Sequence, residues 1–355
     1  MGVRIGFIGT GGISVSHLQN LAQLPDAEVV ALADLTKERA QTAQDTVNKR
    51  LQERGVKDWV PIQAATYDDY RTMLRNERLD GVYICLPPFA HGEPESAAID
   101  ANVSMLVEKP LALDLALAAD LLGRIQERGL IAASGYQLRY IKELQTAKER
   151  LSGKTIGMVT VMRYGSTPGT PWYHIQSKSG GQLIEMATHE MDLTRFLAGD
   201  VASVYAEADT LINNKDNPEY DIFDVNCMAL RFENGAVGTF SNNFISKHGA
   251  PVQTRGVHVI ADGVTVSFTL GGPIQIITSE GTEELPSEEN PMLTEDRAFV
   301  QAVKDKDPSH IKSDYESGVY TLATTLAADQ SAREKRPVFV RDLLRERAPK
   351  LVQAG

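Results

Sequence analysis

Val3-Arg4-Ile5-Gly6-Phe7-Ile8-Gly9-Thr10-Gly11-Gly12-Ile13-Ser14 is the stretch from which the fold is read. An apolar run at residues 3–8 with no polar alternation suits a strand covered on both faces, as in a parallel sheet. It passes directly into glycines and then a helical pattern. Gly9 meets the demand of a tight turn, and Gly11 lets backbone amides approach a pyrophosphate; the helix that follows points the positive end of its dipole at the same place. Thr10, Gly12 and Ile13 complete the phosphate turn, and Ser14 takes the position where a third glycine allows close helix packing.

Working outward, residues 29–33 form a second apolar strand that ends at Asp34, 20 residues beyond Ser14. A carboxylate at that distance accepts hydrogen bonds from an adenosine ribose and repels a 2′-phosphate, which favours NAD. Lys37 and Arg39 follow closely and keep NADP open; the competing reading is that Asp34 caps the next helix.

Further apolar runs at 81–86, 104–107 and 130–133 alternate with helical stretches at 17–24, 37–53, 67–75, 93–101 and 115–128. This is the pattern of a doubly wound α/β domain, placed at 1–133. Beyond it the texture changes to longer alternating strands at 155–164, 201–212, 223–232, 236–244, 257–261, 264–269 and 274–278, with turns at Glu233-Asn234-Gly235 and Asp262-Gly263. The expectation for 134–355 is an α+β domain built on a large, mainly antiparallel open sheet, with one early helix at 181–197. Two late helices, at 293–306 and 315–333, are free to pack back on the first domain. The loop at 213–218 reads as a solvated turn.

The bulk numbers agree with two folded domains: 355 residues, 42% hydrophobic and 23% charged. A net charge of −11 argues against a nucleic-acid partner. Cys85 and Cys227 stand far apart in strand-like runs and read as two buried, reduced thiols, and no Cys or His pattern suggests a metal. No apolar run approaches the ~18 residues of a membrane span. The expected location is cytoplasmic.

Two clusters turn a cofactor domain into an enzyme. The strand at 81–86 runs into Leu86-Pro87-Pro88 and His91, and the next strand ends in Glu108-Lys109-Pro110, both at the sheet's carboxyl edge, where ligands of open α/β sheets bind. In the second domain Ser179-Gly180-Gly181 precedes a helical pattern that would align Glu185, His189, Asp192 and Phe196 on one face. A carboxylate one turn from an imidazole suits general acid–base work near neutral pH.

Taken in this order, the phosphate turn, Leu86-Pro87-Pro88 with His91, Glu108-Lys109-Pro110, Gly135-Tyr136-Gln137-Leu138-Arg139-Tyr140 and the Gly180-Gly181 to Asp192 segment resemble the glucose-fructose oxidoreductase / inositol dehydrogenase / rhizopine catabolism (Gfo/Idh/MocA) family over nearly the whole chain. The resemblance implies that Lys109 and His189 face the reacting carbon, with the nicotinamide between the domains. It also implies a carbohydrate-like substrate, and a homodimer or homotetramer formed through the second-domain sheet.

Glu185 stands where family members commonly have Asp. It is one methylene longer, so either a shifted backbone brings it to the same place or the acid–base assignment differs. Tyr136, Arg139, Trp172, Tyr173, His174 and Asp192 are candidates for the substrate wall, since aromatic faces stack on sugar rings; Trp172 is equally readable as loop packing. The expected activity is hydride transfer from a secondary alcohol of a sugar or polyol to NAD(P). Two rivals share the fold, a redox-neutral NAD-dependent glycosidase and a non-catalytic sensor of cofactor and sugar.

Overall fold

The structure is a computed structural model, and it describes residues 2–215, 217–246, 255–286 and 290–352. In its first part the chain runs β1 (Val3–Ile8), α1 (Gly12–Leu21), β2 (Ala27–Ala33), α2 (Lys37–Glu53), β3 (Ala65–Tyr67), α3 (Tyr70–Asn76), β4 (Gly81–Ile84), α4 (Glu93–Asp100), β5 (Ser104–Val107), α5 (Leu115–Glu127) and β6 (Ala132–Ser134). It continues α6 (Lys142–Leu151), β7 (Ile156–Tyr164), α7 (Gln176–Ser179), α8 (Gln182–Glu185), α9 (Thr188–Ala198), β8 (Val201–Asp209), β9 (Val225–Phe232) and β10 (Val237–Asn243). Then come β11 (Arg255–Ala261), β12 (Val264–Thr269), β13 (Ile274–Thr278), β14 (Gly281–Leu285), α10 (Pro291–Asp305), α11 (Tyr315–Glu334), β15 (Val338–Phe339), α12 (Val340–Arg347) and α13 (Pro349–Val352).

Two compact units result, one made of residues 1–111, 120–140 and 289–317, the other of 112–119, 141–288 and 318–355. The first holds a six-stranded parallel sheet in the order β3-β2-β1-β4-β5-β6. Its strands are buried on both faces, which is why they read as unbroken apolar runs. The order reverses between β1 and β4, and the crevice outside their carboxyl ends is where such a sheet binds ligands. In the core against β1 and β4, Phe7 stacks on Tyr83 at 4.8 Å between centroids and Phe299 meets it edge-on at 5.3 Å. Phe299 comes from α10, so the late helix completes this core.

The second unit is a nine-stranded sheet in the order β14-β13-β12-β11-β7-β10-β9-β8-β15, antiparallel throughout except for the β7–β10 pair. Period-2 alternation gives it one buried face, carrying Val159, Val161, Phe240, Met228 and Leu230. On the other face Val237 and Ile260 are each register partners of Met158, on the strands either side of it, and each of the three is about two-fifths exposed.

Several expectations change in detail. Strand β3 takes residues 65–67, where a helix from residue 67 was expected, and α3 starts at Tyr70 under an Asp69 cap whose carboxylate accepts from the amides of Arg71 and Thr72. Cys227 is exposed, because the alternation of β9 places it on the open face; Cys85 is buried as expected. The 213–218 loop is not simply solvated. The Asp224 carboxylate, fully buried, accepts from the backbone amides of Leu211, Ile212 and Asn213, and buried Asn213 donates to the Phe244 carbonyl. Asp216 of that loop lies outside the described residues.

Candidate active site

In the first unit the glycine turn hangs between two strands. Gly9 N–H donates to Ala33 O at 2.8 Å, and Cys85 N–H donates to Ile8 O at 2.9 Å. Gly9 has φ +87°, and a Cβ there would lie 2.4 Å from Cys85 O, so only glycine fits. Gly11 and Gly12 differ, because a Cβ on either would meet nothing within 4 Å. They leave the amide end of α1 bare, and Gly11 supplies no side-chain cap. Ser14 is fully buried and donates to Gly11 O at 2.6 Å, fastening the turn from beneath.

Asp34 closes this site at the end of β2. Its Oδ2 accepts from Thr10 N–H at 2.8 Å and from Thr10 Oγ1 at 2.7 Å, and its Oδ1 accepts from Leu35 N–H and the Arg39 Nε–H. Partial burial alone would raise its pKa, but these donors, Thr10 foremost, outweigh burial and hold it below the ordinary carboxylate value. It does not cap α2, since that cap is Thr36, whose hydroxyl accepts from Arg39 N–H. Arg39 lies on the carboxylate itself. The bare amides, the glycine that a side chain would obstruct and the ionised carboxylate suit a dinucleotide.

The loop after β4 is held by His91. Its Nδ1 lies 2.5 Å from Glu95 Oε1 and its Nε2 3.1 Å from Leu86 O, while Glu95 Oε2 accepts from Gly92 N–H. Both ring nitrogens are engaged inside the unit, so His91 shapes the Leu86-Pro87-Pro88 loop and offers no ring nitrogen to a ligand.

Glu108-Lys109-Pro110 leaves the end of β5, with a cis Lys109–Pro110 bond. Glu108 N–H donates to Ile84 O, and its carboxylate receives Lys109 N–H at 3.1 Å on Oε2. Oε1 lies 3.1 Å from Nε2 of His17 on α1, and His17 Nδ1 lies 2.6 Å from Asp296 Oδ1 on α10. Asn20 Nδ2 donates to Asp296 Oδ2 at 2.8 Å. A Cβ at Gly135 would come within 2.9 Å of the Glu108 carboxylate, which explains that glycine. Tyr136 and Arg139 are both buried, the guanidinium donating to Lys312 O at 3.2 Å.

In the second unit Gly180 and Gly181 have φ +75° and +83°, and they turn the chain from α7 into α8. The helix expected at 181–197 is two helices. Met186 and Ala187 both donate to Gln182 O, a spacing that breaks the i→i−4 ladder between Glu185 and His189. Glu185 is buried at the end of α8 and His189 half-buried in the first turn of α9.

Asp192 is fully buried and accepts from Thr321 Oγ1 at 2.9 Å, and Thr321 accepts from Arg195. Glu190 Oε1 receives two N–H donors from Arg255, and its other oxygen stands 3.6 Å from Arg163 Nε. Trp172 stacks on Tyr173 at 3.8 Å. His174 is committed to its own loop, through Pro168 O and Asn217 Nδ2.

His17, Asp296, Arg163 and Glu190 were not foreseen. Nothing local in the sequence marks them, since each acquires its partners across long separations.

Comparison with known proteins bears on this geometry. The model for the oxidoreductase family with an NAD-binding Rossmann fold (GFO_IDH_MocA) matches residues 3–136, and the GFO/IDH/MocA C-terminal domain model matches 144–266. The chain belongs to the Gfo/Idh/MocA family. This Gfo/Idh/MocA protein is an NAD-dependent oxidoreductase. It is 26% identical to a myo-inositol 2-dehydrogenase of Thermotoga maritima over 357 residues, covering 96% of this chain and all of that one. Two solved structures share the fold. An Agrobacterium radiobacter oxidoreductase in complex with NAD+, L-tartaric acid and magnesium has TM-score 0.80 at 18% identity, covering 97% of this chain and 100% of that one. The Bordetella pertussis WlbA dehydrogenase in complex with NADH and UDP-GlcNAcA has TM-score 0.76 at 23% identity, covering 96% and 99%. Among the described residues of this Gfo/Idh/MocA chain, no helix is long and apolar enough to cross a membrane.

Proposed function

We propose that this protein oxidises a secondary hydroxyl of a polyol, sugar or sugar derivative, with NAD as hydride acceptor. The observation that carries the proposal is the Glu108-Lys109 turn: a charged pair delivered at the carboxyl edge of a dinucleotide-type sheet, its carboxylate fixed by Lys109 N–H and His17. An inositol dehydrogenase aligned over nearly the whole chain supports the substrate class.

Bound NAD would lie along Gly9, Thr10, Gly11, Gly12 and Ile13, with its ribose at Asp34 and Leu86, Pro87, Pro88 and Glu108 along the same sheet edge; it supplies an acceptor for hydride. The chain's own work is to move a proton and steady charge. Lys109, as a cation, stabilises the alkoxide that develops as the alcohol proton departs. His189 takes that proton, and buried Glu185 tunes the imidazole. Tyr136, Arg139, Trp172 and Asp192 shape the substrate wall, Asp192 by anchoring α9 through Thr321. Assembly is through the open face of the nine-stranded sheet, as a dimer or tetramer.

The test is NADH formation across inositols, other polyols, aldoses and sugar acids, with NADP as control and Lys109→Met alongside. Removing one charge-stabilising donor lowers kcat about 10²- to 10³-fold, with NAD affinity within about twofold of the parent. Turnover unaffected by Lys109→Met would refute the role of Lys109. NAD binding with no NADH from any compound would favour the redox-neutral or sensing alternatives.

A further inference from the structure

His17 sits between two carboxylates with no exposure to solvent. Its Nδ1 is 2.6 Å from Asp296 and its Nε2 is 3.1 Å from Glu108. A neutral imidazole has one N–H and one lone pair, so either tautomer sets a lone pair against an anionic oxygen. The far oxygen of each carboxylate already accepts an N–H, from Asn20 on Asp296 and from Lys109 on Glu108. That is how ionised carboxylates are dressed.

We propose that His17 is a positioning residue for the reaction, an imidazolium that holds the Glu108 carboxylate charged and oriented and thereby fixes the turn that presents Lys109. Burial alone would depress the pKa of this ring, but Asp296 and then Glu108 outweigh burial and hold it well above the ordinary imidazole value. The other groups facing the cluster are buried Glu295 on α10, Tyr83 on β4 and Cys85 just beyond that strand, the last two kept neutral chiefly by burial. The Tyr83 ring lies tilted against the imidazole at 5.1 Å. Without the ring's second proton, two buried carboxylates would compete for one, and the carboxylate beside Lys109 would lose its charge or its aim.

The activity arm of the test rests on the dehydrogenase reading; the spectroscopic arm does not. In protein labelled with ¹⁵N-histidine, the His17 signals are those lost in His17→Gln. At about pH 8, well above the ordinary imidazole value, both ring nitrogens of His17 should carry protons. A single protonated nitrogen would overturn the proposal, whether or not any substrate turns over.

The activity arm is a cycle of His17→Gln, Glu108→Gln and the double variant. Each single change should lower kcat about tenfold or more, His17→Gln with the KM for NAD little altered, and the double variant should fall no lower than Glu108→Gln alone. Multiplicative losses would overturn it. Should His17→Gln fail to fold, Asp296→Asn keeps an acceptor and removes a charge. Its kcat relative to the parent's at the same pH should then decline as pH rises through the lowered His17 value; a ratio constant across pH would count against the proposal.

Discussion

At the scale of the residue, the cofactor turn combines two kinds of glycine. Gly9 is obligatory through its positive φ and its approach to Cys85 O, whereas Gly11 and Gly12 border open space. Gly9→Ala should therefore lose about 1–3 kcal/mol of stability in urea melts through backbone strain alone, more if the Cys85 carbonyl cannot shift, whereas Gly12→Ala should fold normally and lose NAD affinity. Asp34 carries a pH signature. Its folded pKa is depressed, so its stabilising effect is complete above the unfolded carboxylate value of about 4 and fades as pH falls through the folded one. The stability gap between parent and Asp34→Asn should close in acid, and the variant should gain kcat/KM for NADP relative to NAD. Gly9, Asp34 and Glu108 were legible as strand-end residues because each follows its strand directly in sequence. The His17–Asp296 pair was not, with 279 residues between its members.

At the scale of the element, long apolar strands announced themselves, while β3, three residues at a sheet edge, is too short for its pattern to exceed chance. The 181–197 segment shows how helical periodicity misleads. Its residues keep a helical spacing, yet the ladder slips at Met186-Ala187, which no residue type there marks in advance. The two glycines before it set the entry geometry. A Cβ at Gly180 would lie 2.7 Å from Leu113 Cδ2, and one at Gly181 2.7 Å from Gln176 Oε1. Gly180→Ala should lower stability by about 1–3 kcal/mol and lower kcat as well, because α8 and α9 carry Glu185 and His189. A stable variant with undiminished kcat would show that this turn does not position them.

At the scale of the whole molecule, the open face of the nine-stranded sheet presents Val237, Met158 and Ile260 side by side. If this face is the association site proposed above, each change in a two-fold assembly is felt twice. On that proposal, Ile260→Glu, and more strongly Met158→Glu with Ile260→Glu, should leave a folded monomer in sedimentation velocity where the parent sediments as a larger species; a parent that is itself monomeric would refute assembly through this face. The two-unit plan was readable from the change of texture along the chain; the return of residues 289–317 to the first unit was not.

That return bears on biosynthesis. Ser134 N–H and its hydroxyl are received by Ser313 O, and Asp296 and Phe299 reach His17 and Tyr83 from α10. The cofactor half is thus made in two stages on the ribosome, its strands before the nine-stranded sheet and α10 after all but the last strand of it. Until α10 has been synthesised, its sheet lacks a side of its core and His17 lacks one of its two carboxylate partners, Asp296. Such a nascent half has to wait, partly open, while the second sheet is made, and any chain released early carries a buried imidazole and an uncovered apolar cleft, features that mark it for chaperones and proteases.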